Sequence, residues 1–449
     1  MGSRKAVHAF DSFGKLHKFK FHGNGSVSFS AKFIYSEYYN KSIAINDYAP
    51  YMQMDVLDPP FNELQIIESL MHSMDNVNVN VYRIYNKSLK KYEYMTVADM
   101  WKVYQIDQNL GTIGPVQPEL DVNKFIYVAA ESTAHPVKEY GTDNYLTFLT
   151  SISKFPQYKS QMSLFRMNTV AEREKVTTWD IDESRYIHSF SVTKRHAVIV
   201  APPITVNPTK LVTQGYVLGA MEWNNTSPVI IYVVDLKLLN VTTLKYNPFF
   251  FFHHINAYEE NNTIIVDICT FANKTTVSMF EMPILSDPKV RNSIKFGYGM
   301  IRLVIDLETW TVKGQGFESS PKVPYSSRID FPIFNEKYRY SKYCYVYGTS
   351  QKIDNINFNK YAIVKKDVCD PSGDKSWALD NNYPSETLFV ATPGGTREDD
   401  GILISHVFDG VLDETNLYII NATTMETISK SKLPTNIPVA IHGRFFPDP

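Results

Sequence analysis

The chain has 449 residues, enough for two or three average domains or for one large β or α/β unit, so length leaves the domain count open. Hydrophobic residues make up 44% and aromatic residues 14%, within the globular range, while 20% charged residues and a formal net charge of −2 provide no field that would draw nucleic acid, and no nucleic-acid partner is expected. Three cysteines (Cys269, Cys344, Cys369) are too few for a disulfide framework, and a reducing, cytoplasmic setting is expected.

The first twenty residues are basic without the apolar run of a signal peptide. No later apolar run approaches the roughly 20 residues of a membrane-spanning helix. Val27–Phe33 alternates in polarity and predicts a strand. Asn62–Ser73 carries apolar residues at 64, 66, 67, 70 and 71 just after Pro59-Pro60 and predicts a short helix. Nearly everything else reads as strands. Val233-Val234-Asp235, Val304-Ile305-Asp306 and Ile419-Ile420-Asn421 each end a β-branched run on Asp or Asn, then pass through a short polar turn into a second strand. Asp and Asn suit such a corner because their side chains bond to the backbone ahead. A hairpin recurring along most of a chain is the pattern of a β-propeller, whose radial repetition protects sheet edges; unrelated hairpins of a sandwich are the alternative. No Pro- or Ser-rich linker divides the sequence, and one domain over residues 1–449 is expected.

The most unusual stretch is Asn247–Phe271, where four consecutive phenylalanines lead into His253-His254 and then into the β-branched run Ile264–Ile268. A buried imidazole needs a partner, because an unpaired buried polar group costs about 1–3 kcal/mol. Four of the 11 histidines share this style of ending or interrupting an apolar strand: His135, His188, His253 and His442. Any one of them alone is more often a satisfied core or surface histidine than a ligand. No local helix unites them, but the innermost strands of a propeller deliver residues to one axis. His8, His17 and His22 are expected in solvent, His72 at a helix end, His196 in a turn and His406 in a structural role.

The sequence resembles the carotenoid cleavage oxygenases and their retinoid isomerase relatives. The resemblance covers nearly the whole chain and is densest at Thr133-Ala134-His135-Pro136, Tyr186-Ile187-His188-Ser189-Phe190, Phe252-His253-His254-Ile255-Asn256, Tyr383-Pro384-Ser385-Glu386, Glu398-Asp399-Asp400-Gly401 and Ile437 to Gly443. It implies an all-β fold, a seven-bladed propeller with a cap of helices and loops over its top face. It also implies one Fe2+ held by His135, His188, His253 and His442, with His254 pointing away.

Members of this family orient three of the imidazoles with glutamates. Glu386 matches one, and Asp330 stands where a second is found. The third position falls on Ala98, and the neighbouring Asp99 is expected to be a surface acid on the other face of a strand. The family's N-terminal Phe-Asp-Gly is Phe10-Asp11-Ser12 here, with less sequence before it, so part of the usual N-terminal segment is expected to be missing.

Tyr186 and Phe331 are the expected walls of a substrate tunnel, and Tyr145–Leu149 with Leu211–Trp223 the expected membrane-facing entrance, because a polyene leaves lipid at a cost of about 25 cal/mol per Å² of wetted apolar surface. The implied activity is dioxygenase cleavage of a carotenoid double bond, central cleavage of β-carotene to retinal first, with peripheral membrane association. Retinoid isomerohydrolysis, apocarotenoid cleavage and non-cleaving carotenoid or retinoid binding are the alternatives.

Overall fold

The computed structural model describes residues 2–293, 298–351 and 361–447. Its strands form antiparallel sheets joined by short turns, and the recurring corner is what turns them. Asp235 Oδ1 accepts from the amides of Lys237 and Leu238, Asp306 Oδ1 from Glu308 and Thr309, and Asn421 Oδ1 from Thr423 and Thr424. Each turn closes four residues after the corner on a left-handed residue: Leu239, Trp310 and Met425.

Six of these sheets have four or five strands and follow one another along the chain, at 80–116, 127–181, 191–246, 254–316, 330–377 and 382–432. They stand as blades around one axis because their inner strands are buried on both faces. In His196–Ala201, residues 197, 199 and 201 pack into the core shared with the second blade, and residues 198 and 200 into the core shared with the fourth. This two-sided burial is why the inner strands read as continuous apolar runs. Equivalent cores join the fourth blade to the fifth, the fifth to the sixth and the first to the second.

The expectation of seven blades is corrected: the described residues form six. A two-stranded hairpin, Lys15–Phe21 with Val27–Phe33, closes the remaining gap. Phe19, Phe21, Val27 and Phe29 pack on Ile404 and Leu417 of the sixth blade, while Leu16 joins the core of Ala98 and Tyr104 at the first. The hairpin gains no further strands because the chain next enters two helices, α1 (Glu37–Ile45) and α2 (Glu63–His72). The predicted helix over 62–73 is thus present, with Asn62 and Gln65 forming a reciprocal capping box.

A third helix, α3 (Pro208–Gln214), packs against α2. It ends on Gly215 at φ +77°, where a Cβ would stand 2.9 Å from Ile66 of α2, so the helix contact requires glycine there. Phe10, Met54 and Val277 from the loops and short helices pack on Phe250, Phe252 and Phe271, forming an apolar cover beside His253. No helix among the described residues is long and apolar enough to cross a membrane.

Other local expectations also differ, among them three with structural consequences. Cys344 and Cys369 form a disulfide, their Cα atoms 5.1 Å apart, and only Cys269 is free. The pair closes the open end of a hairpin in which Tyr345 faces Asp367, an adjacency that a sequence separation of 25 conceals. His8 is fully buried, its Nε2 3.0 Å from the Val277 carbonyl, because the N-terminal residues tuck under a short helix and not into solvent. Tyr145–Leu149 forms no entrance: it lies in a blade strand with Leu146, Phe148 and Leu149 fully buried.

Candidate metal centre and substrate cavity

Each of the four histidines sits at or just before the axial end of a sheet, or on the C-terminal segment that runs beside the axis. His135 precedes Val137–Lys138, His188 precedes Ser191–Val192, and His253 immediately precedes His254–Glu260. The rings converge: one nitrogen from each lies within 4.8 Å of the others. His135 and His188 approach at 3.0 Å through their Nε2 atoms, and His253 and His442 at 3.2 Å. His254, by contrast, turns outward to Ser191, 2.7 Å from Nδ1. The structure therefore brings together all four predicted histidines and separates the adjacent pair as expected.

Three carboxylates fix which nitrogens point inward. His188 Nδ1 donates to Asp99 at 2.7 Å, His253 Nδ1 to Asp330 at 2.6 Å and His442 Nδ1 to Glu386 at 2.8 Å. Glu386 and Asp330 are thus where the sequence assigns them. The expectation for the third acid is wrong. Ala98 is buried in the core with Leu16 and Tyr104, and Asp99 is the acid that serves a ring. Strand alternation misleads here because the strand ends at Val97, and Asp99 lies in the bend beyond it. Asp99 also accepts from the Ala134 amide at 2.9 Å and from the Tyr186 hydroxyl at 2.8 Å, tying the first blade to two ligand-bearing segments.

The aspartate at 330 reaches its ring without an intervening group because its strand moves inward. Pairing with the neighbouring strand slips between Asp330 and Ile333, and Phe331 adopts φ +52°. Gly348 permits the approach, since a Cβ there would meet the Asp330 carbonyl at 2.7 Å.

With Nδ1–H committed to carboxylates on three rings, the Nε2 lone pairs face one another. Burial favours the neutral form of His135, His253 and His442: it drives His442 down to about 3 and His135 well below its usual range, neighbouring histidines adding to both. His253 is also lowered by burial, against the pull of Asp330. Converging neutral lone pairs repel unless a cation lies between them. Imidazole nitrogens about 2.1 Å from one ion and at right angles to each other stand about 3.0 Å apart, which matches the two close pairs. The donor set fits a transition metal with positions left open, and the identity of the ion does not follow from the geometry.

One side of the cluster opens into a cavity of about 1510 Å³, larger than the roughly 300–1,000 Å³ of common small-molecule sites. His188, His253 and His442 line it, as do Tyr186 and Phe331, both expected there, and Phe252. The Phe331 ring lies 5.3 Å from that of His253 and 5.5 Å from that of His442, so it forms the wall directly at the cluster. Toward the cap the wall continues through Leu70 of α2, Leu211 of α3 and Phe280.

The family model of the retinal pigment epithelial membrane protein matches residues 1–447. Among curated relatives, the mitochondrial carotenoid-cleaving dioxygenase of Homo sapiens is 24% identical, covering 99% of this chain and 84% of its own. The β,β-carotene 15,15'-dioxygenase of Gallus gallus is 25% identical, covering 100% and 90%. Among solved structures, cobalt-substituted Synechocystis ACO superposes with a TM-score of 0.80 at 22% identity, covering 98% of this chain and 88% of that one. A Synechocystis ACO point mutant gives 0.81 with the same identity and coverage. At that identity the structural likeness establishes a shared fold.

Proposed function

The chain belongs to the family of the retinal pigment epithelial membrane protein, which is that of the carotenoid cleavage oxygenases, and from this premise we propose that it is a dioxygenase that cleaves a carbon–carbon double bond of a carotenoid. The observation that carries the proposal is the convergence of four imidazoles, three of them braced by carboxylates, at the wall of a large and mainly apolar cavity. His135, His188, His253 and His442 would hold Fe2+. When bound, Fe2+ supplies open coordination positions at which dioxygen is activated. Asp99, Asp330 and Glu386 accept the Nδ1 protons and keep each Nε2 aimed inward, as carboxylates behind metal-bound histidines do. Tyr186, Phe252 and Phe331 keep the polyene against the cluster and exclude water from it.

In the leading reading the substrate is β-carotene, cut at its centre to retinal. Iron-loaded protein incubated with β-carotene in micelles should yield retinal by chromatography, with iron near one per chain. Intact β-carotene at full iron occupancy, across several micelle compositions, would sink that choice of substrate. Non-cleaving carotenoid binding loses one of its supports, because Asp99 supplies the acid that Ala98 lacks.

The same proposal includes a resting place on a membrane surface. Leu64, Ile67 and Met71 of α2 are 78%, 57% and 76% exposed, an apolar stripe that water alone does not favour. Val212 of the adjoining α3 is also exposed, and the cavity reaches Leu70 and Leu211 of the same two helices. A polyene leaving lipid between them would stay out of water. Substituting Leu64→Glu with Met71→Glu should abolish co-sedimentation with phosphatidylcholine vesicles and slow cleavage of vesicle-borne substrate. Unchanged co-sedimentation would remove this face from the proposal.

A further inference from the structure

Glu131 ends the strand Tyr127–Glu131, four residues ahead of His135, and the cleavage reading leaves it without a role. The strand pairs with Tyr145–Ser153, but the register slips so that Glu131 faces Thr150 while Ala129 faces Ser151. A slip of this kind inserts one extra residue, Ala130, and re-aims the side chain beyond it. Glu131 thereby joins the cavity wall together with Ala129, Leu149 and Tyr186.

One of its oxygens is occupied. Oε1 accepts from the Ile187 amide at 2.7 Å, directly before His188. Among the described residues, Oε2 has no hydrogen-bond or ion-pair partner, and no lysine or arginine neutralises the carboxyl. Burial, with the nearby charge of Asp99 adding to it, holds the carboxyl well above the usual carboxylate range. Packing alone would favour an aliphatic side chain at such a place, since a polar atom facing an apolar space is unfavourable until something bonds to it.

We propose that Glu131, through its Oε2–H, donates a hydrogen bond to a hydroxyl group on the substrate, so that the enzyme selects hydroxylated polyenes over hydrocarbon ones. The inference rests on the cleavage reading and sharpens its substrate class. A hydrocarbon polyene would leave Oε2 unpaired beside its chain, and sites built to bond a substrate hydroxyl reject the analogue that lacks it. Glu131 acts as a specificity residue and takes no part in the chemistry.

The test compares β-carotene with its 3,3'-dihydroxy derivative, presented to iron-loaded protein in identical micelles. The hydroxylated substrate should have the higher kcat/KM by about tenfold or more. Glu131→Leu should bring the ratio close to one, chiefly by losing the hydroxylated substrate. Glu131→Gln should keep most of the preference, because its carbonyl oxygen can take the Ile187 amide while its NH2 faces the hydroxyl.

A wild-type ratio near one, or an unchanged ratio in Glu131→Leu, overturns the proposal. Taking the ratio within one protein cancels any loss of iron caused by the substitution. If Glu131→Leu cleaves neither polyene, the same ratio is read from equilibrium binding by tryptophan quenching in iron-free protein. Failure of the wild type to cleave any polyene would refute the cleavage reading, while the binding ratio would still decide the role of Glu131.

Discussion

Replacing His253 with alanine should abolish both iron binding and polyene cleavage while leaving the propeller folded. The ring contributes one of four converging nitrogens, 3.2 Å from that of His442, and its loss opens a gap no neighbouring side chain fills. It also strands Asp330, whose Oδ1 is held 2.6 Å from Nδ1 of this ring and would become an uncompensated acid in a buried site. The backbone here is fixed independently: the Cys269 amide donates to the His253 carbonyl, and Phe250 pairs with Phe271 in both directions. Metal analysis after dialysis should find iron near zero per chain, and chromatography should find no product. His254→Gln is the matched control one residue away, since that ring bonds Ser191 on the outer side, and it should keep its iron. Full iron occupancy in His253→Ala would remove the four-histidine assignment.

The second large effect is expected at Asp99. Asp99→Leu removes the acceptor for His188 Nδ1–H, for the Tyr186 hydroxyl and for the Ala134 amide together. His188 then loses its tautomer and its orientation, and Tyr186 is free to leave the cavity wall. Loss of one such carboxylate typically costs about 10–100-fold in metal affinity or activity. Asp99→Leu should lie at the upper end of that range because three contacts are lost at once. Asp99→Asn should fall between, since its carbonyl still accepts from the ring while the negative charge is gone. Chelator competition reads the iron affinity and steady-state kinetics the activity. An Asp99→Leu protein with ordinary iron affinity would return Asp99 to the surface role expected from the sequence.

That expectation failed for an instructive reason. Period-two alternation assigns faces only while the strand continues, and Lys91–Val97 ends two residues before Asp99. The bend after Val97 lets Ala98 enter the core and turns Asp99 to the axis. Glu131 is hidden in a related way, since one extra residue in its strand cancels the alternation that would have given its face. The blade count is another case. Val27–Phe33 reads as a strand, and only the structure pairs it with Lys15–Phe21 and follows the hairpin with helices that leave the sector with two strands. The disulfide adds a last one, joining cysteines 25 residues apart at the mouth of a hairpin.

The sequence by itself determined the all-β class and the recurring Asp or Asn corner and singled out the four histidines, while their grouping as ligands and two of the three acids behind them came from the family resemblance. These are legible because each depends on residue type in a short motif: a β-branched run before a turn, or an imidazole ending an apolar strand. Only the tertiary structure decided that the blades number six, that Asp99 is the third acid, that Asp330 reaches its ring directly and that Glu131 faces the cavity. Those facts depend on strand ends, bulges and close backbone approaches such as Gly348 against Asp330. Such features shift a side chain by a whole face while changing the local pattern of residues very little.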